Sequence, residues 1–205
     1  MDYQLKNIIF DMGNVIVDFN PEKIVEAFGV NDPADKDLLL KAIFYTKEWH
    51  MADRGEMSFE EICEIAKTRL PQRLYPLAEK ITADWYQILP PIKGIADLIR
   101  KLKAEGFHIY LLSNAALNQP VYWKDTPGNE CFEGTVISAF ERCVKPDEKI
   151  YRILLDRYGL IAEECLFIDD SLANIEAANK LGFKTYHFHD DADKLEEYIN
   201  QLKEG

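Results

Sequence analysis

Short apolar runs that end in polar residues punctuate this chain. Ile8-Ile9-Phe10 runs into Asp11, Ile109-Tyr110-Leu111-Leu112 into Ser113-Asn114, and Leu166-Phe167-Ile168 into Asp169-Asp170. Continuous apolar runs of this length mark strands buried on both faces, the condition of a parallel sheet. A shorter run at 134–138 leads through Phe140, Cys143 and Val144 to Lys145-Pro146, and a last one covers 183–188. Between these runs the apolar residues recur at helical spacing. Ile95, Leu98, Ile99 and Leu102 share one face before a stop at Gly106, and further helices are expected over 147–158, 172–181 and 192–202. Strands alternating with helices predict an α/β fold with a doubly wound parallel, Rossmann-like sheet.

Between the first and second runs the period is helical throughout. Asn20-Pro21-Glu22 combines a capping side chain, a proline at the first helical position and an acid in the first turn. Asp32-Pro33 repeats the signal, and Ser58 with Glu61 forms a capping box. A fourth helix carries Leu77, Ile81, Trp85 and Ile88 up to Pro90-Pro91, while Trp49 to Glu56 reads as a polar turn. The expectation is a core domain of residues 1–18 and 90–205, interrupted by a small all-α helical subdomain at 19–89. The stretch 115–133, with Pro120, Pro127 and Gly128, reads as irregular, with Tyr122-Trp123 anchoring it.

Composition narrows the partners. Thirty-six acidic residues against 24 basic ones leave a net charge of −12. That argues against a nucleic-acid surface, which needs clustered Lys and Arg. No apolar run approaches the ~20 residues of a membrane span, and the start lacks the plan of a signal peptide. Cys63, Cys131, Cys143 and Cys165 are scattered, so each is expected to be a buried small hydrophobe in a reducing compartment. A soluble cytoplasmic protein follows as the expectation.

In open α/β sheets, ligands bind outside the carboxyl ends of the strands. If the apolar runs are neighbours, Asp11, Ser113, Lys145, Asp169 and Asp170 converge at one edge. Alone, Asp11 could cap a turn and Asp169-Asp170 could start a helix. Together they would repel one another unless a cation is present. Mg2+, which prefers oxygen ligands, suits Asp11, the Gly13 carbonyl, Asp169 and Asp170. Lys145 would neutralise Asp11 and a phosphoryl oxygen, and Ser113 with the backbone N–H of Asn114 would bind the other oxygens. Positioning and charge stabilisation are most of what phosphoryl transfer asks of a protein.

Asp11-Met12-Gly13-Asn14-Val15, Ser113-Asn114, Lys145-Pro146 and Asp169-Asp170 with Asn174 resemble, in order, the four motifs of the haloacid dehalogenase-like hydrolase superfamily. The resemblance covers Ile8 to about Leu181. It implies that Asp11 is a nucleophile that becomes an aspartyl-phosphate, and that Ser113 and Lys145 are phosphate ligands. It also implies Asp170 as a direct Mg2+ ligand, Asp169 as a second or outer one, and Asn174 as a support. Residues 19–89 look like that superfamily's all-α, C1-type cap. The D-x-G-N-V-x-V-D form and the Asp53-Arg54-Gly55-Glu56 turn resemble the branch of α-D-glucose-1-phosphate phosphatases.

One departure stands out. The phosphatase pattern is D-x-D-x-T/V, whose second Asp protonates the leaving oxygen, and here that position is Gly13. His50, Asp53, Glu56 or a water could substitute, and Trp49, His50 and Arg54 are candidate substrate contacts. The expected activity is Mg2+-dependent hydrolysis of a small phosphorylated metabolite, a sugar phosphate such as glucose 1-phosphate. Competing readings are a phospho-accepting receiver domain, a non-catalytic binding module and a metal-free haloacid dehalogenase. In a receiver, however, the acidic pair comes first and the lysine last. His187-x-His189 with Asp190 suggests a metal clip, set against the plainer reading of a strand end fading into solvent.

Overall fold

In the computed structural model, which describes residues 4–204, the apolar runs form one five-stranded, all-parallel sheet. Its strands are β1 (Asn7–Phe10), β2 (His108–Ser113), β3 (Gly134–Ile137), β4 (Cys165–Asp169) and β5 (Lys184–His187), in the order β3-β2-β1-β4-β5. Successive strand residues point to opposite faces, and the core divides accordingly. Ile8, Phe10, Ile109, Leu111 and Ile168 pack with Ile99 of α6 (Ile95–Ala104) and Leu195 of α11 (Ala192–Glu204). Ile9, Tyr110, Leu112 and Phe167 pack with Tyr151 of α9 (Glu148–Tyr158) and Ile175 of α10 (Leu172–Lys180). The fold class read from the periodicity is therefore the observed one.

Between β1 and α6 the described residues contain no strand. They form α1 (Pro21–Ala27), α2 (Pro33–Leu39), α3 (Lys47–Asp53), α4 (Phe59–Arg69) and α5 (Tyr75–Asp84). The caps read from sequence are in place. Asn20 accepts from the Lys23 N–H, Asp32 from Ala34 and Asp35, and Ser58 and Glu61 bond reciprocally. The chain leaves and re-enters the sheet layer side by side. The Asp18 N–H donates to the Pro90 carbonyl and the Ile92 N–H to the Ile16 carbonyl, both at 2.8 Å.

Three local expectations need correction. The polar turn expected at Trp49 to Glu56 is mostly α3, capped by the Thr46 hydroxyl, with Trp49 and Ala52 buried. Only Arg54 to Glu56 form the turn, with Gly55 at φ 69°. The fourth helix stops at Asp84, and Trp85 sits in a 3-10 turn. The irregular stretch contains α7 (Gln119–Trp123). The short strand expected over 134–138 is β3, which ends at Ile137, and α8 (Ser138–Glu141) plus a loop delivers Lys145.

Aromatic rings join the helical layer to the sheet layer. Trp49 lies with its ring centroid 4.7 Å from Phe44, 5.8 Å from Phe19 and 5.1 Å from Trp85, and Trp85 continues to Tyr122 of α7 at 5.7 Å. All four cysteines are buried and unpaired, as expected. Among the described residues no helix is long and apolar enough to cross a membrane.

Helices α3 and α4 are also tied by charge. Arg69 donates to both carboxylate oxygens of Glu48, at 2.7 and 3.1 Å, and these bonds pull the Glu48 carboxyl down to about 2 against the effect of burial. A carboxyl held low in the folded state stabilises it above the ordinary range near ~4.3, and the benefit vanishes as pH falls through about 2. Thermal melts should therefore show Glu48→Gln less stable than the wild type at about pH 6, with the gap closing toward about pH 2.

Candidate active site

The sheet register assembles the site. Phe10 pairs with Leu111 on one side and Ile168 on the other, so Asp11 stands level with Leu112 and Asp169. The strand order turns in opposite directions from β1, which opens a crevice at this edge. Asp11, Ser113 and Asp169 are all buried there. Lys145 reaches them from its loop, donating to Asp11 Oδ1 at 2.8 Å, Asp169 Oδ2 at 2.6 Å and the Leu112 carbonyl at 3.0 Å.

An ammonium has three donors, and here all three are engaged. In this arrangement Lys145 neutralises two carboxylates, and contact with a phosphoryl oxygen requires one of these bonds to be released. Burial works against its charge, but Asp11 and Asp169 outweigh burial and hold its pKa above the ordinary lysine value. Burial pushes the Asp11 carboxyl up to about 7 despite the pull of Lys145, with Asp169 adding to the rise. Burial also raises Asp170, opposed by the bond from Asn14.

A ring of polar groups positions these tips. Asp169 Oδ1 accepts from the Ser171 N–H at 2.8 Å and the Asn174 amide at 2.9 Å. Asn14, at φ 55°, donates to Asp170 Oδ2 at 3.0 Å and accepts from the Phe19 N–H. Sequence reasoning assigned Asn14 no part, although its tolerance of left-handed backbone was a usable signal. The Asn114 side chain is not turned to a ligand. It brackets the backbone of Lys145, donating to its carbonyl at 3.0 Å and accepting from its N–H at 2.8 Å. His187 Nε2 lies 2.8 Å from the Asp170 carbonyl oxygen, which braces the same loop, while His189 is exposed.

The donor set fits a hard cation. Asp11, Asp169 and Asp170 each present an oxygen within 4.8 Å of the others, the one such group among the described residues. Both Asp169 oxygens already accept hydrogen bonds. The bonds above fall on Oδ1 of Asp11 and Oδ2 of Asp170, so each keeps a second oxygen for a ligand. An all-oxygen set of this kind suits Mg2+.

Over Asp11, Gly13 and Ser113 lies a cavity of about 120 Å³. Its far wall is apolar, built from Phe19, Trp49, Phe59, Trp85 and Tyr122. Trp49 thus belongs to the aromatic core and to the cavity at once, and Tyr122 does more than anchor a loop. A wider cleft of about 600 Å³ adjoins it, lined by His50, Arg54, Asn114 and Lys145 among others. Asp53, the last residue of α3, borders both spaces, whereas Glu56 borders neither. Burial pushes the Asp53 carboxyl up to about 7, with Lys145 drawing it down. Gly13 is not forced by crowding, since a Cβ there would meet nothing nearer than Phe19 Cβ at 3.7 Å.

Comparison with known proteins fits this geometry. A family model described as haloacid dehalogenase-like hydrolase matches residues 5–182. The chain is 28% identical over 201 residues to a D-ribitol-5-phosphate phosphatase of Bacteroides thetaiotaomicron, covering 94% of this chain and 96% of that protein. It is 29% identical over 194 residues to the sesquiterpene phosphatase astK of Aspergillus oryzae, covering 90% of each. A crystal structure of a HAD family enzyme from Bacteroides thetaiotaomicron, in complex with magnesium and inorganic phosphate, superposes with a TM-score of 0.70 at 24% identity, covering 93% of this chain and 98% of that one.

Removing the ammonium would leave Asp11 and Asp169 buried without a counter-charge. Breaking a buried ion pair this way costs about 3–5 kcal/mol. Lys145→Met should lose that much unfolding free energy in urea titrations run in EDTA.

Proposed function

The chain belongs to the haloacid dehalogenase-like hydrolase family, and within it we propose a Mg2+-dependent phosphatase that hydrolyses a small phosphate monoester through Asp11. The observation that carries this reading is a buried carboxylate, Asp11, held 2.8 Å from a buried ammonium and beside two further acids. The phosphatase relatives support it, as does the magnesium and phosphate bound by the structural neighbour.

In this reading Asp11, the Gly13 carbonyl and Asp170 hold Mg2+, with Asp169 behind them. Such an ion would supply the positive charge that lets an anionic nucleophile approach an anionic phosphate. Ser113, at the end of β2, and the Asn114 N–H hold phosphoryl oxygens. Lys145 favours the ionised form of Asp11, and Asn114 fixes Lys145 by its backbone. Asp11 attacks phosphorus, the alcohol leaves, and water then cleaves the aspartyl-phosphate. Residues 19–89 act as the cap, with Trp49, His50 and Arg54 toward the organic part of the substrate.

The sugar phosphate read from the sequence, glucose 1-phosphate included, meets a wall with few polar partners. Each buried hydroxyl left unpaired costs roughly 1–3 kcal/mol. Beyond the phosphate end, the inner cavity offers aromatic rings and a single carboxylate, Asp53. That lining supports a compact monoester with few hydroxyls, or one that turns an apolar face to the rings.

The test is phosphate release from a panel containing glucose 1-phosphate, a pentitol phosphate and a short prenyl phosphate. Turnover is expected with Mg2+ and not in EDTA, with the prenyl ester ahead of glucose 1-phosphate in kcat/KM. Asp11→Asn should fall ~10³-fold or more, the scale seen when a covalent nucleophile is removed. Equal activity in that variant would remove Asp11 from the reaction.

A further inference from the structure

We propose that Asp53 is the proton donor and acceptor of this reaction, supplying from α3 the acid–base group that Gly13 lacks. The inference rests on the phosphatase reading above and goes beyond it to a residue and a role.

Three observations converge on Asp53. Among the described residues lining the inner cavity, Asp11 and Asp53 are the only carboxylates. Asp11 is engaged with Lys145 at one end, so Asp53 is left to face the leaving group. His50 borders only the outer cleft and Glu56 borders neither space.

Asp53 is also held in place by its backbone rather than by its carboxylate. The Ser138 hydroxyl, at the start of α8, donates to the Asp53 carbonyl at 2.5 Å and accepts from the Ala115 N–H at 2.9 Å. Two residues on, Gly55 lies so close to Ala139 that any Cβ would collide with its carbonyl oxygen. The turn after α3 is thus seated on the sheet layer, and the Asp53 side chain is left for chemistry. Its titratable surroundings are the Tyr122 hydroxyl in the inner cavity, and Lys47, His50, Arg54 and Lys145 around the outer cleft. Burial favours the neutral acid that a donor must be.

The step balances as follows. An Asp11 oxygen forms a bond to phosphorus while the bond from phosphorus to the ester oxygen breaks. That oxygen takes the Asp53 proton and departs as the alcohol. Asp53, now a carboxylate, takes a proton from water as the water oxygen bonds to phosphorus. The bond between Asp11 and phosphorus then breaks, releasing orthophosphate and leaving both aspartates as they began.

The experiment compares p-nitrophenyl, phenyl and benzyl phosphate, esters of similar shape whose leaving oxygens need a proton to increasing degrees. kcat/KM reports on the steps through departure of the alcohol, so a slow second half-reaction does not mask the effect. Acid–base assistance is typically worth ~10²–10⁴-fold. Asp53→Asn should lose on that order with benzyl phosphate and at least about tenfold less with p-nitrophenyl phosphate, steepening the leaving-group dependence. Asp53→Ala, which cannot swap one hydrogen-bonding headgroup for another, must show the same gradient. Equal losses on all three esters, or no loss with benzyl phosphate, in either variant would overturn the assignment. Failure of the wild type to hydrolyse any of them would instead overturn the phosphatase reading, and this inference with it.

Discussion

The contact between the Lys145 ammonium and the carboxylates of Asp11 and Asp169 governs the rest of the structure. Three acids whose oxygens lie within 4.8 Å of one another cannot share a buried edge without positive charge. The protein supplies that charge at 2.6 and 2.8 Å and buries it almost completely. Much of the surrounding architecture serves the contact. The register of β1 against β4 sets Asp11 level with Asp169, and Asn114 brackets the lysine backbone from the end of β2. Asn14 then engages one oxygen of Asp170, and Ser171 and Asn174 engage the second oxygen of Asp169.

The helical layer gives this charged edge an unusual neighbour. Trp49, Phe59, Trp85 and Tyr122 wall the cavity opposite Asp11, and the same rings form the apolar seam between the layers. Electrostatic interactions strengthen where apolar side chains exclude water. The aromatic seam is therefore part of the site's electrostatics as well as its packing.

Legibility in the sequence followed the physics of each element. Strands buried on both faces must be apolar throughout, so β1, β2 and β4 were visible as runs, with their terminal acids and Ser113. The helices capped by Asn20, Asp32 and Ser58 were visible because capping is a local bond. Helix α3 was obscured because it has only seven residues and its cap, Thr46, precedes charged residues that look like a turn. The path from β3 to Lys145 runs through a one-turn helix and a loop, which have no periodicity to read. The engagement of the Asn114 side chain with the Lys145 backbone and the place of Tyr122 in the cavity wall depend on contacts between distant segments. No local pattern encodes them.

The side-by-side crossing of residues 16–18 and 90–92 has an architectural implication. Because Asp18 and Pro90 already share a backbone hydrogen bond, a chain joined directly between them would bypass all five helices of the insert with hardly any gap to span. The parallel sheet, with its carboxylates and its lysine, is contiguous in space without that detour. The helical roof is thus attached through a single doorway, and the charged floor of the sheet does not depend on it for continuity.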